Sequence, residues 1–323
     1  MLNSNNYLNI NKLNYKSPLN VNKSLMNFKP KPSHLKVKSF LLSALLILTV
    51  SIVLTAQIFQ PKFYCFEDAF LKINTENPEY QASLIRNLGF NGMEIMGLDG
   101  IDRKLQALDQ QKLQLFMVYI QIDIEKELPY DSRLRDFIKK VHNKGVTLAL
   151  HIHSDQFAPS DSLGDSLCVP IIQDLADYAS SFGVNIALYP HTGFWLEKID
   201  DGLRLTRKIN RHNVGAIFNL CHYLKADEKE LLEKKLVKAI PFLAAVSING
   251  CDDGNTREME WDRLIQPLGK GTFDVLHVLR ILKANNYTGP IGLQCYNIPG
   301  DPADFLKSSM ETWKKYIKEL SIN

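Results

Sequence analysis

Eight short apolar runs alternate with eight amphipathic stretches along the chain beyond residue 62. The runs are Phe63–Phe66, Gly92–Gly97, Gln114–Ile120, Thr147–His151, Asn185–Tyr189, Gly215–Asn219, Ala244–Ile248 and Pro290–Gln294. They are apolar without alternation, as expected of parallel strands buried on both faces. The intervening stretches have helical spacing, near Pro78–Leu88, Asp102–Gln111, Ser132–Lys144, Pro170–Phe182, Ile199–Ile209, Glu228–Ile240, Phe273–Asn285 and Ala303–Ile317. Pro78 and Pro170 read as first-turn prolines. Gly89, Gly145 and Gly183 follow periodic segments, as helix C-caps do. Strands alternating with helices predict a parallel sheet. Eight units fit closure into a barrel better than an open sheet, so the expected fold class is α/β, a single (β/α)8 domain over residues 62–317.

The start of the chain breaks this pattern. Residues 1–38 contain seven lysines and no Asp, Glu or Arg, and are rich in Asn. Such a segment is expected to be a disordered basic leader. Residues 39–56 are apolar and end in Ala56. A basic stretch, an apolar core and a small residue form a secretory signal pattern, with cleavage expected after Ala56. The uncharged stretch Ser39–Pro61 is also long enough to span a bilayer, so a retained membrane anchor is the alternative. Both readings place the domain outside the cytoplasm, periplasmic or secreted in the first case and membrane-anchored in the second.

This reverses the meaning of the charge. The whole chain has 38 basic and 35 acidic residues. Without the seven leader lysines, 31 basic residues face 35 acidic ones, a net charge of −4. No basic run remains to track a phosphate backbone, so no nucleic-acid partner is expected. The five cysteines form no CxxC pair, and Cys65, Cys221 and Cys295 lie in or beside apolar runs, where small buried packing is the expected role.

In a parallel barrel the C-terminal strand ends build the active site. Here those ends read Ile186–His191, Ala216–His222, Ala245–Gly250 and Ile291–Tyr296. The segments Leu268–Asp274, Asn286–Gln294 and Asn213–His222 resemble, in order and position, motifs of the xylose-isomerase-like TIM barrel superfamily, which includes sugar phosphate isomerases and epimerases. The resemblance covers about residues 62–317. It implies a divalent cation held by Glu, Asp, His and Glu after strands five to eight. The matching positions are Tyr189, Asn219, Ser247 (or Asn249) and Gln294. None is an anion at neutral pH, whereas Mg²⁺ and Mn²⁺ favour carboxylates. A family-type Mg/Mn site is therefore expected to be absent or rebuilt.

Amide side chains both donate and accept, which suits the hydroxyls of a neutral carbohydrate or polyol. Tyr189, Asn219, His222, Asn249, Gln294 and Trp195 are the expected substrate-binding residues. Glu94, His153 and His191 are the expected acid/base groups. His151 alternates with His153, and His153 is taken as the one at the mouth, His151 facing the helices. Glu94, His153, His191, His222 and Gln294 are candidate ligands for a divalent metal in a remodelled site, since imidazole suits Zn, Fe, Mn or Ni. Asp155 is either a further ionisable group or a loop cap. The loop Gln156–Val169 is either a lid or a solvated insertion. The expected function is isomerase or epimerase chemistry on a carbohydrate. The alternatives are a lyase or hydratase acting on an oxidised (keto) glycoside, and a carbohydrate-binding pseudoenzyme that has lost the metal.

Overall fold

The computed structural model describes residues 59–72 and 77–322. The basic leader at 1–38 and the apolar segment at 39–56 lie outside the described residues. The strands are β1 (Phe63–Phe66), β2 (Gly92–Met96), β3 (Gln114–Asp123), β4 (Thr147–His153), β5 (Asn185–Leu188), β6 (Val214–Asn219), β7 (Leu243–Ile248) and β8 (Ile291–Leu293). Each pairs in parallel with the next. β1 also pairs with β8, through Phe63 with Ile291, Tyr64 with Gly292 and Cys65 with Leu293, and so closes an eight-stranded barrel.

Two apolar layers hold the barrel. The outer one lies between strands and helices; in it Phe63 stacks on Trp313 with ring centroids 4.1 Å apart. The inner one fills the barrel with Tyr64, Phe66, Phe116, Met117, Tyr189 and Ile217. Ala149, Ala187 and Ala245 give these large side chains room, and Tyr64 stacks on Phe116 at 4.7 Å. Gly292 extends the same economy of space. A Cβ there would lie 2.4 Å from the Phe66 ring and 2.7 Å from the Tyr64 ring, so β8 must be bare where the aromatics meet it. The barrel is thus a packed core below and open only at the top.

The helices are α1 (Pro78–Leu88), α2 (Ile101–Gln110), α3 (Leu134–Lys140), α4 (Asp165–Ser180), α5 (Ile199–Ile209), α6 (Leu220–Ala226), α7 (Leu232–Ala239), α8 (Trp261–Leu264), α9 (Val275–Ala284) and α10 (Pro302–Ile322). α1 follows its sequence signals. Asn77 caps it by accepting from the Tyr80 N–H at 3.1 Å, Pro78 begins it, and Gly89 ends it at φ 97°.

α4 departs from them. Pro170 was expected in its first turn, yet the helix starts five residues earlier. Tertiary contacts win here. Asp165 is buried and pairs with Arg204 at 3.0 Å and Lys208 at 2.6 Å, while Cys168 and Ile172 bury the inner face. Pro170 then forgoes one backbone hydrogen bond inside the helix. The loop before it is correspondingly shorter than expected. β4 also runs two residues beyond its expected end, to His153. The single helix expected over Glu228–Ile240 is a 3₁₀ turn, α7 and a second 3₁₀ turn. α6 and α8 were not expected at all.

Candidate active site

The top of the barrel opens into a cavity of about 520 Å³. Strand periodicity builds most of its wall. Residues two apart on one strand share a face. Glu94 and Met96 come from β2, Tyr119 and Gln121 from β3, His151 and His153 from β4, Tyr189 and His191 from β5 and its end, and Gln294 and Tyr296 from the end of β8. Asp68, Thr192, Phe194, His222 and Trp261 add to the wall from the loops and short helices.

Carboxyl groups gather at the ends of β1 and β2. Glu67 accepts from the Met96 N–H at 2.8 Å and pairs with Lys104 at 2.6 Å. Asp68 accepts from the Cys295 N–H at 3.2 Å and ties β1 to β8. Burial pushes the Asp68 carboxyl up to about 8, and the charge of Glu67 adds to the rise, against the Cys295 hydrogen bond. Burial also pushes Glu94 well above the usual carboxylate range, with Asp68 and Glu67 reinforcing it. Glu94 Oε2 is buried and meets no hydrogen-bond partner among the described residues. Near neutral pH, Glu94 and Asp68 are therefore protonated.

Imidazoles line the other side. In a closed eight-stranded ring β1 stands opposite β5 and β2 opposite β6, so the carboxyls face His191 and His222 across the cavity. Phe194 packs between His153 and His191, with centroids at 3.8 and 3.9 Å. His191 in turn lies 3.9 Å from His222, which meets Trp261 edge-on at 5.6 Å. Burial is the main reason that all these rings have lowered pKa values. His151 falls to about 3, His191 to about 4, His222 well below the ordinary value, and His153 in the same direction. The rings are neutral, so their tautomers carry the chemistry. His191 Nδ1 lies 2.9 Å from the Thr192 carbonyl, which only accepts. Nδ1 thus holds the hydrogen and Nε2 a lone pair. His222 Nδ1 accepts from the Thr192 N–H at 3.4 Å, so its hydrogen is on Nε2.

Glu94, His153, His191, His222, Tyr189 and Gln294 line this cavity as expected residues of it. His151 does so too, which corrects its expected orientation toward the helices. β4 remains extended through His153, so the two rings share a face, and His151 Nδ1 meets His153 Nε2 at 2.8 Å. Asn219 lies just behind the wall, capping α6 and donating to the Tyr189 hydroxyl. Trp195 and Asn249 do not line the cavity. The Trp195 indole is buried and donates to the Asp161 carbonyl at 2.9 Å, and its ring sits where a Cβ on Gly164 would be 2.7 Å away. It anchors the loop before α4 rather than facing the cavity. The Asn249 amide donates to the Gly250 and Leu264 carbonyls at 2.8 and 2.6 Å, holding the loop after β7. Asp155 is exposed in its loop. Asp68, Tyr119 and Gln121 were missed. The period of two along β3 would have found Tyr119 and Gln121; nothing periodic marks Asp68.

A divalent cation does not fit these side chains. The strand-end positions Tyr189, Asn219, Ser247 and Gln294 are neutral, and the amides of Asn219 and Gln294 both donate to the Tyr189 hydroxyl. Ser247 and Asn249 are fully buried, and neither borders the cavity. The remodelled set fares no better. Among the described residues no group of three or more His, Cys, Asp or Glu side chains is placed to hold a metal ion. Glu94 stands across the barrel from His191 and His222 instead of joining them.

Known proteins of this architecture give the context. The chain is similar in structure to a 3-keto-D-glucoside 4-epimerase from E. coli, with TM-score 0.63 and 18% identity over 79% of this chain and 100% of that one. It is similar to a D-allulose 3-epimerase from Methylomonas sp., with TM-score 0.64 and 19% identity over 80% and 100%. It is also similar to the IOLI protein with a binding zinc atom, with TM-score 0.62 and 15% identity over 80% and 98%. At such identities the likeness is one of fold. No curated protein matches the sequence significantly. A family model does match, over residues 82–316, and by it the chain belongs to the xylose isomerase-like TIM barrel family.

Proposed function

We propose that this protein moves a proton at a carbon beside the carbonyl of a sugar or related polyol, as an isomerase or epimerase. The observation that carries this reading is the pairing of opposites across one cavity. Glu94 and Asp68 hold protons on one side, and His191 offers a lone pair on the other. An acid and a base on opposite faces of a planar intermediate are what inversion at carbon needs. In the proposed step His191 Nε2 takes the proton from carbon. The electron pair moves toward the carbonyl, and Glu94 returns a proton to the opposite face. Delivery to the neighbouring carbon would give isomerisation instead. His151 and His153, joined by their 2.8 Å contact, pass protons between the cavity floor and the mouth. Phe194, Tyr119 and Trp261 keep water from the reacting carbon and offer flat faces to a sugar ring. Among the described residues the cavity wall has no Lys or Arg, which favours an uncharged sugar over a phosphorylated one.

The same protonated Glu94 suits expulsion of a hydroxyl from an oxidised glycoside, so elimination is the second reading. Export remains part of the proposal, on the strength of the uncharged run that follows the leader lysines.

The test is incorporation of solvent deuterium into ketohexoses, followed by NMR with chelator present. Exchange at the carbon beside the carbonyl is expected. Glu94→Gln should slow it by about 10²–10⁴-fold. The rate should fall as pH rises through about 8, where Asp68 loses its proton and its charge reaches Glu94. Binding of sugar without any exchange would instead establish a carbohydrate-binding pseudoenzyme.

A further inference from the structure

The end of β5 brings the Tyr189 hydroxyl between two amides from other strands. Asn219 Nδ2 donates to this oxygen, and Gln294 Nε2 reaches it at 3.5 Å. The sense of both bonds is set from behind. Asn219 Oδ1 accepts from the His222 backbone N–H at 3.4 Å and from the Cys221 thiol at 3.0 Å. Gln294 Oε1 accepts from the backbone N–H groups of Cys295 and Tyr296 at 2.9 and 3.2 Å. Backbone N–H groups only donate, so each amide must turn its NH₂ toward the phenol. A hydroxyl oxygen that takes two donors has no acceptor capacity left, and only its own hydrogen remains to give. Tyr189 borders the cavity, and among the described residues no side chain or carbonyl takes that hydrogen.

We propose that Tyr189 polarises the substrate oxygen, as a hydroxyl held in the donor state by Asn219 and Gln294, at the place where family members would hold a cation. This rests on the proton-transfer reading above. As the carbon loses its proton, negative charge grows on the former carbonyl oxygen. A donor fixed in advance and shielded from water stabilises that charge without reorganising. Burial pushes the phenol pKa above its ordinary value, so the group keeps its hydrogen near neutral pH. Asn219 and Gln294 are positioning residues in this scheme. Ser247 and Asn249 take no part.

Two arms test it. In the first, deuterium exchange into D-fructose and D-allulose is measured with chelator present. Tyr189→Phe keeps the ring and should lower kcat by about 10²–10³-fold, the loss expected for one oxyanion donor, with KM within about threefold. Asn219→Asp removes a donor and adds an acceptor that captures the phenol hydrogen, so it should lower kcat similarly while circular dichroism and Tm show an intact fold. Exchange by Tyr189→Phe at the wild-type rate overturns the proposal. In the second arm, MnCl₂ and ZnCl₂ are titrated calorimetrically into chelator-treated wild type. No binding that depends on Gln294 is expected. One equivalent bound by wild type and lost in Gln294→Ala overturns the proposal without reference to turnover. If wild type exchanges neither ketose, the reading of function falls, and the metal arm still decides whether Tyr189 stands in a cation's place.

Discussion

Asp68 follows a four-residue strand and sits in a 3₁₀ turn, Glu67–Phe70, so no period marks it as part of the cavity. Its carboxyl is buried there, with a pKa near 8 against an ordinary 3.8. Between those values the folded chain keeps a proton that the unfolded chain has released. Stability therefore falls as pH rises through this window. Asp68→Asn removes the penalty. Urea denaturation at pH 5 and pH 8 should show wild type losing more stability than the variant, by a few kcal/mol at most. Parallel losses would refute the assignment. At this scale the sequence was partly legible. Glu94, His153, His191 and His222 are polar residues at the ends of apolar strands, and the contrast exposed them. His151 was misdirected because it was read as alternating with His153, whereas residues two apart on an extended strand share a face. Trp195 and Asn249 lie outside the cavity wall, and a polar or aromatic residue near a strand end looks the same in sequence whether it borders a cavity or ties down a loop.

Elements show which boundaries a chain advertises. Strands were legible because both faces are buried, which leaves unbroken apolar runs. α6 was not, because Asn219 ends β6 and caps the helix at once, with no polar gap between them. α4 shows the converse, where a strong local signal at Pro170 yields to the ion pairs of Asp165. The loop before α4 is fixed by contacts no motif announces. Ser160 donates its N–H to the Trp195 carbonyl at 2.9 Å and its hydroxyl to Asp201 at 2.6 Å. Trp195→Phe should lose about 1 kcal/mol with its hydrogen bond to Asp161 and leave KM within about twofold. Gly164→Ala should cost about 1–3 kcal/mol, because the added methyl drives into the indole. A large rise in KM in Trp195→Phe would return that residue to the ligand. Gly271 serves a comparable close approach. It has φ 80°, and a Cβ there would lie 2.0 Å from the Cys251 carbonyl oxygen, which accounts for a glycine in the turn before α9 without any phosphate.

At the scale of the whole barrel, the carboxyls and imidazoles buried around the cavity divide between two halves of one ring. The imidazoles of His151, His191 and His222 have lowered pKa values, so the unfolded chain binds more protons below about pH 6.5 and stability falls with falling pH. Asp68 and Glu94 act in the opposite sense over the same range. The two sets offset each other between about pH 4.5 and 6.5, and above 6.5 only the carboxyls still titrate. Thermal melts should show Tm nearly level across the lower range and declining from about pH 6.5 to 8; a Tm that climbs through pH 8 would contradict this division. The barrel and its cavity were legible as a plan from the alternation of strand and helix. The division of charge was not, because it depends on which strands stand opposite after closure. One contact in this ring has an optical consequence. Trp261 stands edge-on to His222 and itself lines the cavity, so its emission should shift when a ligand enters beside it, and a spectrum that no ligand changes would count against this cavity as the binding site.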